Sequence, residues 1–170
     1  MKKTLILVLV LAFIPLLSFA ELGLGVSAFF NSPVLIGQEP TLSELREGGL
    51  TFGADIRLKF LKFLQLDALG LVSVGDDVTS IDLYADVGVA LDLAILRLSL
   101  GVGPTVFFVL SDTPDPTLLG YNIKANADIK LGKLSFGLSY IMDLIVEDGL
   151  FNVQLDKSTG MLGANVLFWF

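Results

Sequence analysis

Asp82 and Asp86 stand four residues apart in Ser80-Ile81-Asp82-Leu83-Tyr84-Ala85-Asp86-Val87, a stretch in which polar and apolar residues alternate. Side chains of an extended strand point alternately to its two faces, so both carboxyls share one face. Paired carboxyls are residue types that general acid–base chemistry uses. Little else here would serve a reaction. The chain has no histidine and no cysteine, which excludes imidazole catalysis and ligation, zinc–thiolate sites, disulfides and a lipidated cysteine. The run Asp112-Thr113-Pro114-Asp115 lacks the ligand register of an EF-hand. Cationic residues are available as partners for Asp82 and Asp86, and nothing marks a substrate cleft. The sequence therefore assigns no catalytic residue, no metal site and no cofactor.

The elements that must position these residues are unusually apolar. Of 170 residues 54% are hydrophobic and 17% charged, with a mean hydropathy of +0.77; a typical soluble domain has about a quarter of its residues charged. One domain is expected at this length. A pI near 4.4 argues against nucleic acid as a partner, which calls for a basic footprint.

Met1-Lys2-Lys3 is a short basic segment, Thr4 to Leu17 an apolar one interrupted by Pro15, and Ser18-Phe19-Ala20 supplies small residues where a signal peptidase reads them. That layout predicts a signal peptide over 1–20, cleaved between Ala20 and Glu21, followed by one domain over 21–170. The apolar run is shorter than the ~20 residues of a spanning helix, which argues against an uncleaved anchor.

Beyond Ala20 the hydrophobicity is dealt out every second residue. Leu50, Phe52, Ala54, Ile56, Leu58 and Phe60 fall on one face, and Thr51, Gly53, Asp55, Arg57 and Lys59 on the other. Period 2 sustained in this way specifies a β-strand with two chemically opposite faces. Repeats of the pattern predict eight strands, at 21–30, 49–60, 63–74, 79–91, 94–109, 120–131, 134–145 and 159–170. Three connections are tight, at Leu61-Lys62, Asp92-Leu93 and Gly132-Lys133, and the others are mostly longer. Short turns at one end and longer loops at the other, with an even strand number, predict an all-β, up-and-down antiparallel transmembrane barrel. Pro104, in Gly101-Val102-Gly103-Pro104, predicts a bulge or bend, since proline donates nothing to a ladder. Side-chain facing after it is left open.

Alternation alone also fits a soluble lipocalin-like carrier, whose apolar face points inward. Three features favour the outward arrangement. The polar faces are poor in charge and include Leu69 and Leu71. Aromatic residues gather at strand ends, Phe30, Phe52, Phe108 and Tyr121 at the loop end and Phe60, Phe63, Phe168 and Phe170 at the turn end, as interfacial girdles do. The chain stops on Phe168-Trp169-Phe170. Slipping the second strand by one residue would turn Asp55, Arg57 and Lys59 toward lipid, at a cost on the order of 5–8 kcal/mol.

With its signal peptide, eight alternating strands and terminal aromatic, the chain resembles the small eight-stranded outer-membrane β-barrels, the OmpA membrane domain and its OmpX-like relatives. The resemblance is one of pattern over the whole of 21–170. It implies integration into the cell outer membrane, contact with outer-membrane lipids, and recognition of the last strand by the barrel-assembly machinery. The residues matching that recognition signal are Leu162, Ala164, Val166, Phe168 and Phe170, with Gly163 like the family's glycine; Met161 stands where the family has a polar residue. Enzymes of the family rely on a histidine, which this chain lacks, so the resemblance implies no enzymatic activity.

An eight-stranded barrel has an interior just wide enough for side chains to fill. Turning the polar faces inward gathers Asp55, Asp67, Asp82, Asp86, Asp128 and Asp143 with Arg57, Lys59, Arg97, Lys124 and Lys130, a nearly balanced lumen charge network. The expected function is a structural or surface-exposed envelope role with a filled lumen; the alternatives are a channel for small solutes or hydrophobic molecules, and a histidine-free hydrolase using Asp82 or Asp86. The loops carry Glu39, Glu44, Glu47, Asp76, Asp77, Asp112, Asp115, Glu147, Asp148 and Asp156 against Arg46 and Lys157, read as solvated tips whose surface partner the sequence does not name. Thr41-Leu42-Ser43-Glu44 is a capping box that predicts a helical turn around Leu42–Glu47.

Overall fold

The computed structural model describes residues 20–32, 49–74, 79–110, 117–146 and 153–170. The expected signal peptide (save Ala20), the helical turn at Leu42–Glu47 and most of the acidic loop residues lie outside them.

Eight strands form one sheet: β1 (Glu21–Ser32), β2 (Leu50–Phe60), β3 (Leu64–Val74), β4 (Thr79–Leu93), β5 (Leu96–Leu110), β6 (Thr117–Leu131), β7 (Leu134–Val146) and β8 (Val153–Trp169). Each pairs antiparallel with the next, and β1 pairs with β8 to close the barrel. Closure leaves no sheet edge along the wall, so backbone donors and acceptors are satisfied between strands. Alternation fixes the faces. In β2, Thr51, Asp55, Arg57 and Lys59 are buried while Phe52, Ala54 and Ile56 are exposed on the outer surface. The outward side chains form an apolar belt that includes Val26, Phe52, Leu83, Leu100, Leu138 and Leu162. Phe60 departs from the expected girdle: only 8% of it is exposed.

The ends of the elements correct several expectations. The β4–β5 turn is Ala94-Ile95 rather than Asp92-Leu93, because Asp92 still pairs with Arg97 and Leu93 with Leu96. Ala94 takes a positive φ of 54°, which the first position of a two-residue hairpin loop requires and glycine ordinarily supplies. At the β6–β7 turn Gly132 does so, with φ 67°. β8 starts six residues earlier than expected, so Asp156 and Lys157 belong to the strand rather than to a loop. A register shift between Asp143 and Ile145 precedes that extension, and a bulge of this kind breaks the alternation by which a strand is read. Pro104 causes no shift. β5 keeps one register with β6 from Leu96 to Phe108, and the same register with β4 on either side of Gly103-Pro104. The proline faces outward, its β4-side pairings are the ones missing, and Thr105 beyond it points inward.

Candidate functional site

The interior is filled in three levels. At the turn end Glu21, Lys59, Asp92, Arg97 and Lys130 meet. Arg97 donates through Nε to Asp92 Oδ1 at 2.5 Å and through Nη2 to Glu21 Oε2 at 2.5 Å. Lys59 pairs with Asp92, and Lys130 Nζ lies 3.5 Å from Glu21 Oε2. The Arg97 guanidinium lies over the Trp169 ring, 4.2 Å from its centroid, and the indole donates to Ser135 Oγ at 2.9 Å. A guanidinium held between carboxylates and an aromatic face has most of its surface occupied.

In the middle, Arg57 binds Asp55 Oδ2 through Nη2 at 2.7 Å and Asp128 Oδ2 through Nη1 at 2.8 Å, and all three side chains are fully buried. Lys124 Nζ stands 3.6 Å from Asp55 and 3.5 Å from Asp67. Neutral groups complete this cluster: Ser139 donates to Asn126 Oδ1 at 2.6 Å, and Asn165 turns its amide nitrogen to Asp128 Oδ1 at 3.0 Å. Buried charges are tolerated when paired and hydrogen-bonded in this manner. Gly137 makes the fit possible, since a Cβ there would lie 1.9 Å from Asp128 Oδ1.

Above the middle the interior carries an apolar cluster and, on two of the same strands (β4 and β7), carboxylates. Phe29, Leu69, Leu71, Tyr84, Ile141 and Met161 form an apolar cluster, with Phe107 against it. Beside it lie Asp82, Asp86 and Asp143, all buried and, among the described residues, without an ion-pair partner. Tyr84 Oη donates to Asp143 at 3.4 Å, and neither Asp86 oxygen has a hydrogen-bond partner among the described residues. Asp86 stands directly across the ladder from Asp67. The void between Asp67, Asp86, Gln65 and Gly101 has no room for a water molecule.

All eleven residues expected on the inner face are turned inward, and Lys130 is the least covered of them. They do not form one balanced network. Asp82, Asp86 and Asp143 stand apart from it, contrary to the expectation that cations would neutralise Asp82 and Asp86. The turn-end cations pair with Glu21 and Asp92 instead. Neither stands among the residues expected inside: Asp92 falls in the expected Asp92-Leu93 turn, and Glu21 is the first residue after the expected cleavage point. Nor was Trp169 expected there, although its inward position follows from parity with Leu167 and Asn165. Leu162, Ala164, Val166 and Phe168 lie on the outer face of β8, and Phe170 follows it, exposed. Among the described residues no three acidic side chains are close enough to hold a metal ion.

A closed eight-stranded antiparallel barrel with an apolar exterior and a polar, filled interior has the architecture of the small outer-membrane β-barrels. Two solved structures share it. The N-terminal β-barrel domain of Pseudomonas aeruginosa OprF has a TM-score of 0.58 at 16% identity, covering 87% of this chain and 97% of that one. Neisserial surface protein A (NspA) has a TM-score of 0.57 at 13% identity, covering 89% and 97%. At such identities the likeness is one of fold. No family model and no curated protein matches the sequence.

Proposed function

We propose that this chain is an integral outer-membrane β-barrel with a structural or surface-exposed role in the envelope, its lumen closed by side chains. One observation carries the reading: leucine, valine, isoleucine and phenylalanine side chains cover the outside of a closed barrel whose middle cluster of charges is sealed within. In water a continuous exposed belt of that kind would be an aggregation surface; against acyl chains it is matched. The shared fold of OprF and NspA supports the same reading. Leu162, Ala164, Val166, Phe168 and Phe170 are proposed as the segment read by the barrel-assembly machinery, and Asp55, Arg57, Lys59, Asp67, Arg97, Lys124, Asp128 and Lys130 as a structural charge core. No catalytic role is assigned to Asp82 or Asp86.

The test is electrophoresis of unboiled and boiled protein extracted from envelope membranes. A closed lipid-embedded barrel resists detergent unfolding and changes mobility on heating. Soluble recovery with no shift would refute the reading. Planar-bilayer recordings separate the channel alternative: the Arg97–Trp169 plug and the Arg57 cluster predict no steady conductance, whereas discrete openings altered by Arg97→Ala would favour a pore.

A further inference from the structure

The turn-end rim is stepped. β3 begins at Leu64, opposite Val89, so Ala90 to Leu93 of β4 project past it and pair with β5 alone. Ala90 N donates to Phe63 O at 2.7 Å; the next backbone groups facing that side, at Asp92, lie beyond the end of β3. The step leaves a notch of about 460 Å³ lined by Glu21, Lys59, Lys62, Leu91, Asp92 and Leu93, within the roughly 300–1,000 Å³ of small-molecule sites. Two features bear on its occupant. It presents ammonium and carboxylate groups side by side: Lys62 is exposed, and the Glu21 and Asp92 side chains keep 45% and 33% of their surfaces open. The hairpin beyond it is apolar, with Leu91, Leu93 and Ile95 all more than half exposed. An exposed apolar tip of that kind marks a contact with the membrane, and the charged notch beside it lies at the headgroup boundary.

We propose that this notch binds the headgroup of an amine-bearing zwitterionic phospholipid, of the phosphatidylethanolamine class. Its phosphate meets Lys62, its primary ammonium donates to Glu21 and Asp92, and its acyl chains lie along Leu91 and Leu93. Each carboxylate has lone pairs beyond those used by Arg97 and the lysines. Matching both signs at once selects this headgroup over phosphatidylglycerol, which has no ammonium, and over phosphatidylcholine, whose trimethylammonium has no hydrogen to donate. The inference rests on the membrane-barrel reading.

The experiment uses full-length protein folded in detergent, its barrel verified by the mobility shift on heating, and titrated with each of the three lipids. Bound lipid is read by native mass spectrometry. A charge-assisted hydrogen bond corresponds to about tenfold in affinity, so phosphatidylethanolamine is retained about tenfold over phosphatidylcholine. Lys62→Gln weakens retention by about the same factor, and Glu21→Gln narrows the gap between the two lipids. Equal retention of phosphatidylethanolamine and phosphatidylcholine by folded wild-type protein overturns the proposal, whatever the variants do. Protein without a heat shift overturns the barrel reading, and the proposal with it.

Discussion

Replacing Arg57 by methionine keeps most of the side chain's volume and removes one charge from the centre of the barrel. Arg57 bonds Asp55 at 2.7 Å, Asp128 at 2.8 Å and Asn126 at 3.2 Å, with its own side chain and both carboxylates fully buried. After the change Asp55 keeps Lys124 at 3.6 Å and Asp128 keeps the Asn165 amide at 3.0 Å. Removing one partner of a buried ion pair leaves uncompensated charge and costs about 3–5 kcal/mol. The assay is equilibrium urea unfolding in detergent micelles, followed by fluorescence of the chain's single tryptophan, Trp169, which lies against Arg97 at the turn end. A lower midpoint with an unchanged slope is expected. Adding Asp128→Asn to the variant removes one of the stranded charges and should recover about 1–3 kcal/mol, the usual coupling between residues in contact. The reasoning fails if Arg57→Met stays within about 0.5 kcal/mol of wild type, the range of an unremarkable surface change.

Gly137→Leu should lower stability by about 1–3 kcal/mol or more, because a Cβ there already lies 1.9 Å from Asp128 Oδ1; Gly70→Ala, whose Cβ meets Leu83 at an ordinary 3.5 Å, should leave the heat-dependent gel shift unchanged. Asp86→Asn should be neutral or stabilising, since both carboxylate oxygens lack partners among the described residues and Asp67 stands opposite. Asp55→Asn, which weakens contacts with Arg57 and Lys124, should instead cost at least about 1.5 kcal/mol in the same urea titration. Ile56→Arg puts a cation on the outer face and should cost about 2–4 kcal/mol of insertion free energy, read as the folded fraction after refolding into vesicles.

Strand number, antiparallel order and side-chain facing were legible because a two-residue period is a local property of the sequence. What escaped is non-local or lacks a residue signature. Nothing in Leu93-Ala94-Ile95-Leu96 announces a turn, since a positive φ at Ala94 is supplied where glycine or asparagine would have marked it. The shift opposite Asp143–Ile145, where Leu144 alone lies against residues 155–158 of β8, likewise has no glycine or proline to mark it in Leu155-Asp156-Lys157-Ser158. Pro104 misled in the opposite direction, as the sheet absorbs it by losing pairings on its β4 side alone. Alternation told which charges point inward but not which of them meet. Arg57 reaches Asp128, 71 residues along the chain, because barrel closure and stagger bring β2 and β6 together across the lumen. That geometry also decides that Arg97 finds Glu21 and Asp92, while Asp82, Asp86 and Asp143 find no cation among the described residues.

The orientation of the apolar face underlies all of this, and one tryptophan moved about the barrel reads it out. In vesicles whose acyl chains carry bromine, Trp169 of the wild type should keep nearly all its fluorescence, shielded inside by the strand wall. A Trp169→Phe, Ile56→Trp variant should be strongly quenched, with its indole in hydrocarbon. Strong quenching of Trp169 together with a protected tryptophan at position 56 would contradict the account.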